Sequence, residues 1–309
     1  MAGIILAMIP ILYHYEASPY AELVRAAFGV KGLTWGSLLV PRILPKPDQT
    51  LFTGNYARTP IVQIGADFHC DTGAIMPALE VLGGHSLYPA PLGPLHRLVA
   101  NWAGGPQFFA HVGAAMGAMT PEMMGADFIK DRQARFGMDL DALGRAAPHL
   151  AGQALVASHW LSETLADGRA FIGGDTPGAG DLALYSNIWF VKAVPTAAAN
   201  AATMLSMPGV AAWFARMAGF GHGQRQEMTS SDALAAAKAV SPAAITGTVD
   251  APYTAGMMVG VTQDGTKDAP SVGRLLRCDS TGISIARDVH GGLAVHVHFP
   301  RLGQVVMPA

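Results

Sequence analysis

Ile11-Leu12-Tyr13-His14-Tyr15-Glu16-Ala17-Ser18-Pro19-Tyr20-Ala21 is the stretch on which the fold turns. Its first residues are apolar or aromatic, as a buried strand requires. Ser18 is a favoured helix N-cap, and Pro19 suits the first helical position, where a missing N–H leaves no bond unmade. Leu23, Val24, Ala27 and Phe28 then recur at helical spacing, and Gly29 and Gly32 flank Lys31 and suit a stop. Ser18 is therefore expected at a strand-to-helix turn, at the positive end of a helix, where a thiolate or another anion is favoured.

A second stretch, Arg58-Thr59-Pro60-Ile61-Val62, reads as the start of strand, turn, strand and helix. Ile61 to Ile64 is a short strand after Pro60, and Gly65-Ala66-Asp67 makes a tight turn. Phe68-His69-Cys70 is a second strand. Asp71 and Thr72 then open a helix containing Ala74, Ile75, Leu79 and Val81. A carboxylate and a hydroxyl at that helix start can grip an ammonium and a carboxylate.

Taken in order, these pieces resemble the glutathione-binding half of a glutathione transferase. That family has a strand followed by a Ser/Cys-Pro-Tyr/Phe turn, an X-Pro-hydrophobic turn with a cis proline, and an acidic-Ser/Thr pair. Residues 11 to 83 match all three, with an N-terminal motif of the serine type, similar to omega- or zeta-class bacterial proteins. Asp71-Thr72 departs from the usual Glu-Ser but keeps its chemistry. The resemblance implies an α/β thioredoxin-like domain over residues 1–88 and an all-helical domain over 95–235. It implies glutathione as co-substrate, with Ser18 at the sulfur and Thr59, Pro60, Asp71 and Thr72 at the peptide and γ-glutamyl end. It also implies a homodimer.

The rest of the chain adds to this frame. Gly83 to Pro94 is rich in Gly and Pro and reads as a linker. The segments 127–137 and 140–166 carry helical patterns. Gly178-Ala179-Gly180-Asp181 is similar to the start of the family's buried core helix, with Gly178 where Ser or Thr is usual. Half of that capping box is absent, so the helix start is expected to be weaker by a few tenths of a kcal/mol, about the difference between Gly and a better cap. Asp181 is expected to be structural. After Ala237 the helical character stops. Residues 245–249, 257–261, 273–278, 282–287 and 293–299 read as short strands between Gly, Pro and Asp turns. They predict a small additional β module over 240–309, of unknown role.

Composition bounds the function. The chain has 309 residues and a formal net charge of −2, without basic runs. Nucleic acid is therefore not expected as a partner. Two cysteines make no disulfide framework and fit a reducing compartment, the cytoplasm. The apolar start, residues 1–13, lacks a basic n-region, contains Pro10 and leads into the first strand, so it reads as neither signal peptide nor anchor. No stretch is long and apolar enough to suggest a membrane span.

Competing readings attach to several residues. Ser18 is alternatively an N-cap and nothing more. Tyr13, Tyr15 and Tyr20 are rival phenol donors, and His14 lies where the resemblance would place a tyrosine-type residue. Cys70 reads as a small buried side chain. His296 and His298 face the same way on a strand, with His290 nearby, but no further ligand has convincing spacing, so no metal is expected.

The chemistry expected is that of an activated thiol. Free glutathione has a cysteine-like pKa of roughly 8.5, and the thiolate is the nucleophile. A hydroxyl from Ser18 and the helix N-terminus would favour the charged sulfur for attack on a small hydrophobic electrophile. The alternative is a non-enzymatic transferase-fold protein that binds ligands or other proteins. Thiol–disulfide exchange is disfavoured, because Ser18 and Ala21 stand where that chemistry needs cysteines.

Overall fold

A computed structural model describes residues 9–289 and 291–309. The strands are β1 Ile11–His14, β2 Thr34–Leu39, β3 Ile61–Ile64, β4 Asp67–Cys70, β5 Gln224–Glu227, β6 Met258–Gln263, β7 Ser271–Asp279, β8 Gly282–Val289, β9 Leu293–Phe299 and β10 Gln304–Pro308. The first helices are α1 Pro19–Lys31, α2 Pro47–Thr53, α3 Thr72–Glu80, α4 Gly93–Gly104, α5 Pro106–Met116 and α6 Pro121–Met124. They are followed by α7 Ala126–Phe136, α8 Leu140–Thr164, α9 Ala179–Ala193, α10 Ala198–Leu205, α11 Val210–Gly219 and α12 Ser230–Ala239.

Two compact units divide the chain. One holds the chain up to Glu16, Thr34–Leu79 and Arg225–Ala309; the other holds Ala17–Leu33 and Glu80–Gln224. The order β1, α1, β2, then the antiparallel pair β3–β4 and α3, is the thioredoxin-like arrangement, and the helices from α4 onward form the helical domain.

The first unit is built on a sheet of order β10-β6-β7-β8-β9-β4-β3-β1-β2-β5. β1 runs parallel to β2 and antiparallel to β3, with Tyr13 opposite both Leu38 and Ile61. The C-terminal strands join through a parallel pairing of β4 with β9, where His69 stands opposite His298. One apolar cluster joins the N-terminal and C-terminal strands of the sheet, from Tyr13, Phe52 and Phe68 to Leu275, Ile285, Val297 and Phe299. Phe52 and Phe68 stack with centroids 4.5 Å apart, a pairing that contributes about 0.5–1.5 kcal/mol beyond its area.

The tail departs from expectation in two places. Residues 245–249 do not form a strand; Val249 makes a single bridge to Cys278. Gly247 adopts φ +114°, outside strand conformations, which stops the ladder there. β10 was not expected from sequence, being a short edge strand that ends on Pro308.

In the second unit, α1 starts at Pro19 and ends on a left-handed Gly32. α5 and α8 approach closely because glycine stands at the contact. A Cβ on Gly113 would lie 2.3 Å from Leu150, and one on Gly117 would lie 2.2 Å from Ala147. At the start of α9 the buried Asp181 accepts from the N–H groups of Ile172 and Gly178 and from the Trp213 indole. It is the structural residue the sequence suggests.

Candidate functional site

The β3–β4 hairpin decides the geometry of the first half-site. Ile61 stands opposite Cys70, so Thr59–Pro60 and Asp71–Thr72 emerge at the same end of the pair. β1 runs antiparallel to β3 with Tyr13 opposite Ile61, so Tyr15 and Glu16 emerge there too. The Thr59–Pro60 peptide is cis. Four of the five residues singled out in the sequence are thus brought together in one unit. Ser18 belongs to the other unit.

Asp71 is set by its backbone as well as its charge. Its φ is +76°, the only positive value among described non-glycine residues. Its carbonyl accepts from Ala74 and Ile75, and its Oδ1 accepts from the Gly73 N–H at 2.8 Å. It is therefore the cap of α3, with Thr72 half-buried beside it. Loss of water raises the Asp71 pKa, against the opposing pull of the Gly73 N–H and the Arg58 guanidinium.

Side chains that sequence reading did not single out support the segment that carries Thr59. Lys46 is buried and donates from Nζ to Thr59 Oγ1 at 2.6 Å. Its ammonium also lies 5.7 Å from the centroid of the Tyr15 ring. Gln49 donates to the carbonyls of Tyr56 and Arg58 at 2.9 and 3.0 Å, fixing the chain that leads into Thr59. A basic residue and a glutamine bracketing Pro47 were the only sequence signal.

In the helical unit, Ser18 has the extended backbone of an N-cap. Its Oγ accepts from the Ala21 N–H at 3.2 Å, and the residue is 1% exposed. One turn on, Glu22 is buried and meets Arg25 at 2.9 Å and His222 at 3.0 Å. Burial alone would raise its pKa, but the His222 and Arg25 contacts outweigh it and hold the carboxyl below its ordinary value.

The rival donors have partners of their own. The Tyr13 phenol donates to Gln63 Oε1, and burial pushes its pKa well up. The buried His14 meets Ser37 Oγ at 3.0 Å. Tyr20 donates to the Gly104 carbonyl at 2.6 Å. Cys70 and Cys278 are both buried free thiols, and burial raises the Cys70 pKa.

Of the tail histidines, His298 sits in a hydrogen-bonded chain. His298 donates from Nε2 to Asp67 Oδ1 at 2.8 Å and pairs through Nδ1 with Ser284 at 2.9 Å, while its ring stacks on His69. His290 lies outside the described residues. Among the described residues no group of three or more His, Cys, Asp or Glu side chains is placed to hold a metal ion, and no helix is long and apolar enough to cross a membrane.

Comparison with known proteins places these features. Residues 12–84 match the glutathione S-transferase N-terminal domain, and residues 129–216 match the glutathione S-transferase C-terminal domain. A GST-like protein from Pseudomonas syringae is similar over 97% of this chain and 99% of its own, with 29% identity and a TM-score of 0.77. Its likeness therefore extends through the C-terminal strands. Glutathione transferase F7 from Populus trichocarpa shares the fold over 68% of this chain and 93% of its own, at 14% identity and a TM-score of 0.53. A search of curated proteins gives no match.

Proposed function

We propose that this chain, which belongs to the glutathione transferase superfamily, is a glutathione-dependent transferase that activates the glutathione thiol for attack on a small hydrophobic electrophile. The observation that carries the reading is the hairpin that delivers Thr59, Pro60, Asp71 and Thr72 to one end of the sheet. On this reading Asp71 takes the γ-glutamyl ammonium, Thr72 its carboxylate, and the backbone at Thr59–Pro60 the peptide. The Lys46 ammonium supplies positive charge beside Thr59 for a carboxylate of the ligand.

Ser18 takes the sulfur in this proposal. A hydroxyl has one proton and two lone pairs, so Oγ can accept from Ala21 and still donate to a thiolate. Lowering the thiol pKa by one or two units would stabilise the thiolate by about 1.4–2.8 kcal/mol. The near-complete burial of Ser18 favours the second reading, a transferase-fold protein that binds ligands or other proteins without catalysis.

A homodimer in the cytoplasm completes the proposal. Leu98 on α4 and Trp160 on α8 are well exposed, and Trp160 packs on Trp102 at 5.5 Å, which supports a covered apolar face. The two free cysteines support a reducing compartment.

Retention on immobilised glutathione, thiol consumption with a panel of electrophiles, and sedimentation of the same sample test these points. Retention with turnover is the expected result. Retention without turnover selects the second reading, and absence of both removes the glutathione site. Monomer alone at micromolar concentration removes the dimer.

A further inference from the structure

One side chain of the C-terminal strands reaches the helix that leads into the first half-site. Arg287, on β8, donates from Nε to the Val272 carbonyl at 3.1 Å and from Nη1 to the Phe52 carbonyl. Phe52 is in the last turn of α2, where carbonyls lack helical partners and a cation is favoured. Gly54, the residue after α2, has φ +78°, and a Cβ there would lie 3.1–3.3 Å from the guanidinium. The guanidinium thus packs directly on the bend that leaves the helix. Asn55 adds a second tie, donating to the Pro270 carbonyl at 3.0 Å.

From that bend the support runs on to the ligand-facing residues. Gln49 of α2 holds the carbonyls of Tyr56 and Arg58, and Thr59–Pro60 follows directly. Arginine suits the place, because a fork can donate to two carbonyls in different elements at once, whereas an ammonium is a point charge.

We propose that Arg287 is a positioning residue for glutathione, through which the C-terminal strands hold the Thr59–Pro60 segment in its binding geometry. This rests on the reading of that segment as part of the glutathione clamp. The β module is then a working part of the half-site rather than an appended domain. Its removal would loosen the clamp without touching a ligand-contacting residue.

The test uses the full chain and two readouts. Amide exchange over residues 54–61, without ligand, is compared among the wild type, Arg287→Ala, Arg287→Lys and Arg274→Ala. Arg274 is the control, since it is half exposed and pairs with Asp288. Glutathione affinity is measured by calorimetry well below each melting temperature. Arg287→Ala should exchange at least tenfold faster over 54–61, keep wild-type exchange in β1, and bind glutathione at least tenfold more weakly. Arg287→Lys should fall between, and Arg274→Ala should match the wild type. Unchanged exchange over 54–61 in Arg287→Ala overturns the proposal whether or not the wild type binds glutathione. Faster exchange with unchanged affinity also overturns it, leaving Arg287 a merely structural residue. If Arg287→Ala does not fold, Arg287→Lys with wild-type exchange and affinity overturns it equally. A wild type that does not bind glutathione defeats the clamp reading instead.

Discussion

Asp71 combines a left-handed backbone, a helix cap and a carboxylate whose pKa is raised by burial. Asn can adopt the same backbone and cap equally well. Asp71→Asn therefore removes the charge and little else. It should weaken glutathione binding by about 1.5–3 kcal/mol, the range for a hydrogen bond to a charged group. Stability should move the other way. A carboxyl whose folded pKa lies above its unfolded one binds its proton more tightly when folded, so stability falls as pH rises through that window. At pH 7 the ionised Asp71 is a small liability, and the Asn variant should melt at the same temperature or slightly higher. Calorimetry and a melting curve check both. A lowered melting temperature with full affinity would make Asp71 a cap alone. The positions of Thr59, Pro60, Asp71 and Thr72 at the hairpin end and the Ser18 cap were legible because each depends on its immediate neighbours. Lys46 was not, since its bond to Thr59 spans thirteen residues and exists only once α2 has packed.

At the scale of elements, the start of α9 shows why local rules misjudge one cap. Gly178 replaces the expected hydroxyl residue, yet the helix is not left short of an acceptor. His96 of α4 reaches over, and its Nδ1 accepts from the Gly180 N–H at 3.3 Å. A Cβ on Gly178 would lie 2.6 Å from the imidazole, and one on Gly173 would lie 2.5 Å from it. The glycines make room for a cap supplied from far along the chain. Gly178→Ser, which restores the family pattern, should therefore destabilise by about 1–3 kcal/mol, as overpacking does. His96→Ala should also destabilise. The double variant should be more stable than the two costs predict, because the serine hydroxyl can then take the place of the imidazole. Urea midpoints in a double-mutant cycle give the answer, and strict additivity would refute the exchange of caps. Strand existence was legible for β6 to β9, where alternation marks the buried face. It failed at residues 245–249, where the backbone angle of Gly247, invisible to alternation, ends the ladder.

For the whole molecule, buried imidazoles set the response to acid. Burial lowers the pKa of His69 and His296 in one unit and of His96 and His111 in the other, His111 to about 4. A base with a depressed folded pKa contributes stability that is present above its unfolded pKa and lost as pH falls toward the folded one. For His111 the loss between pH 7.5 and 5 is about 2 kcal/mol, from an unfolded pKa near 6.5 at about 1.4 kcal/mol per unit. Urea midpoints for the wild type should fall over that interval, and His111→Gln should fall less by about that amount. Equal slopes would mean that His111 takes up its proton at the same pH folded as unfolded. The sheet has a different consequence, one of timing. β4 is paired on one side by β3, made just before it, and on the other by β9, which begins only at Leu293. At about 5–20 residues per second, the outer edge of β4 waits on the order of ten to forty seconds during synthesis for its partner. For that time it is an open template for any foreign strand. A premature stop ahead of Leu293 makes the wait permanent, so the ribosome must pass Leu293 before the outer edge of β4 is covered.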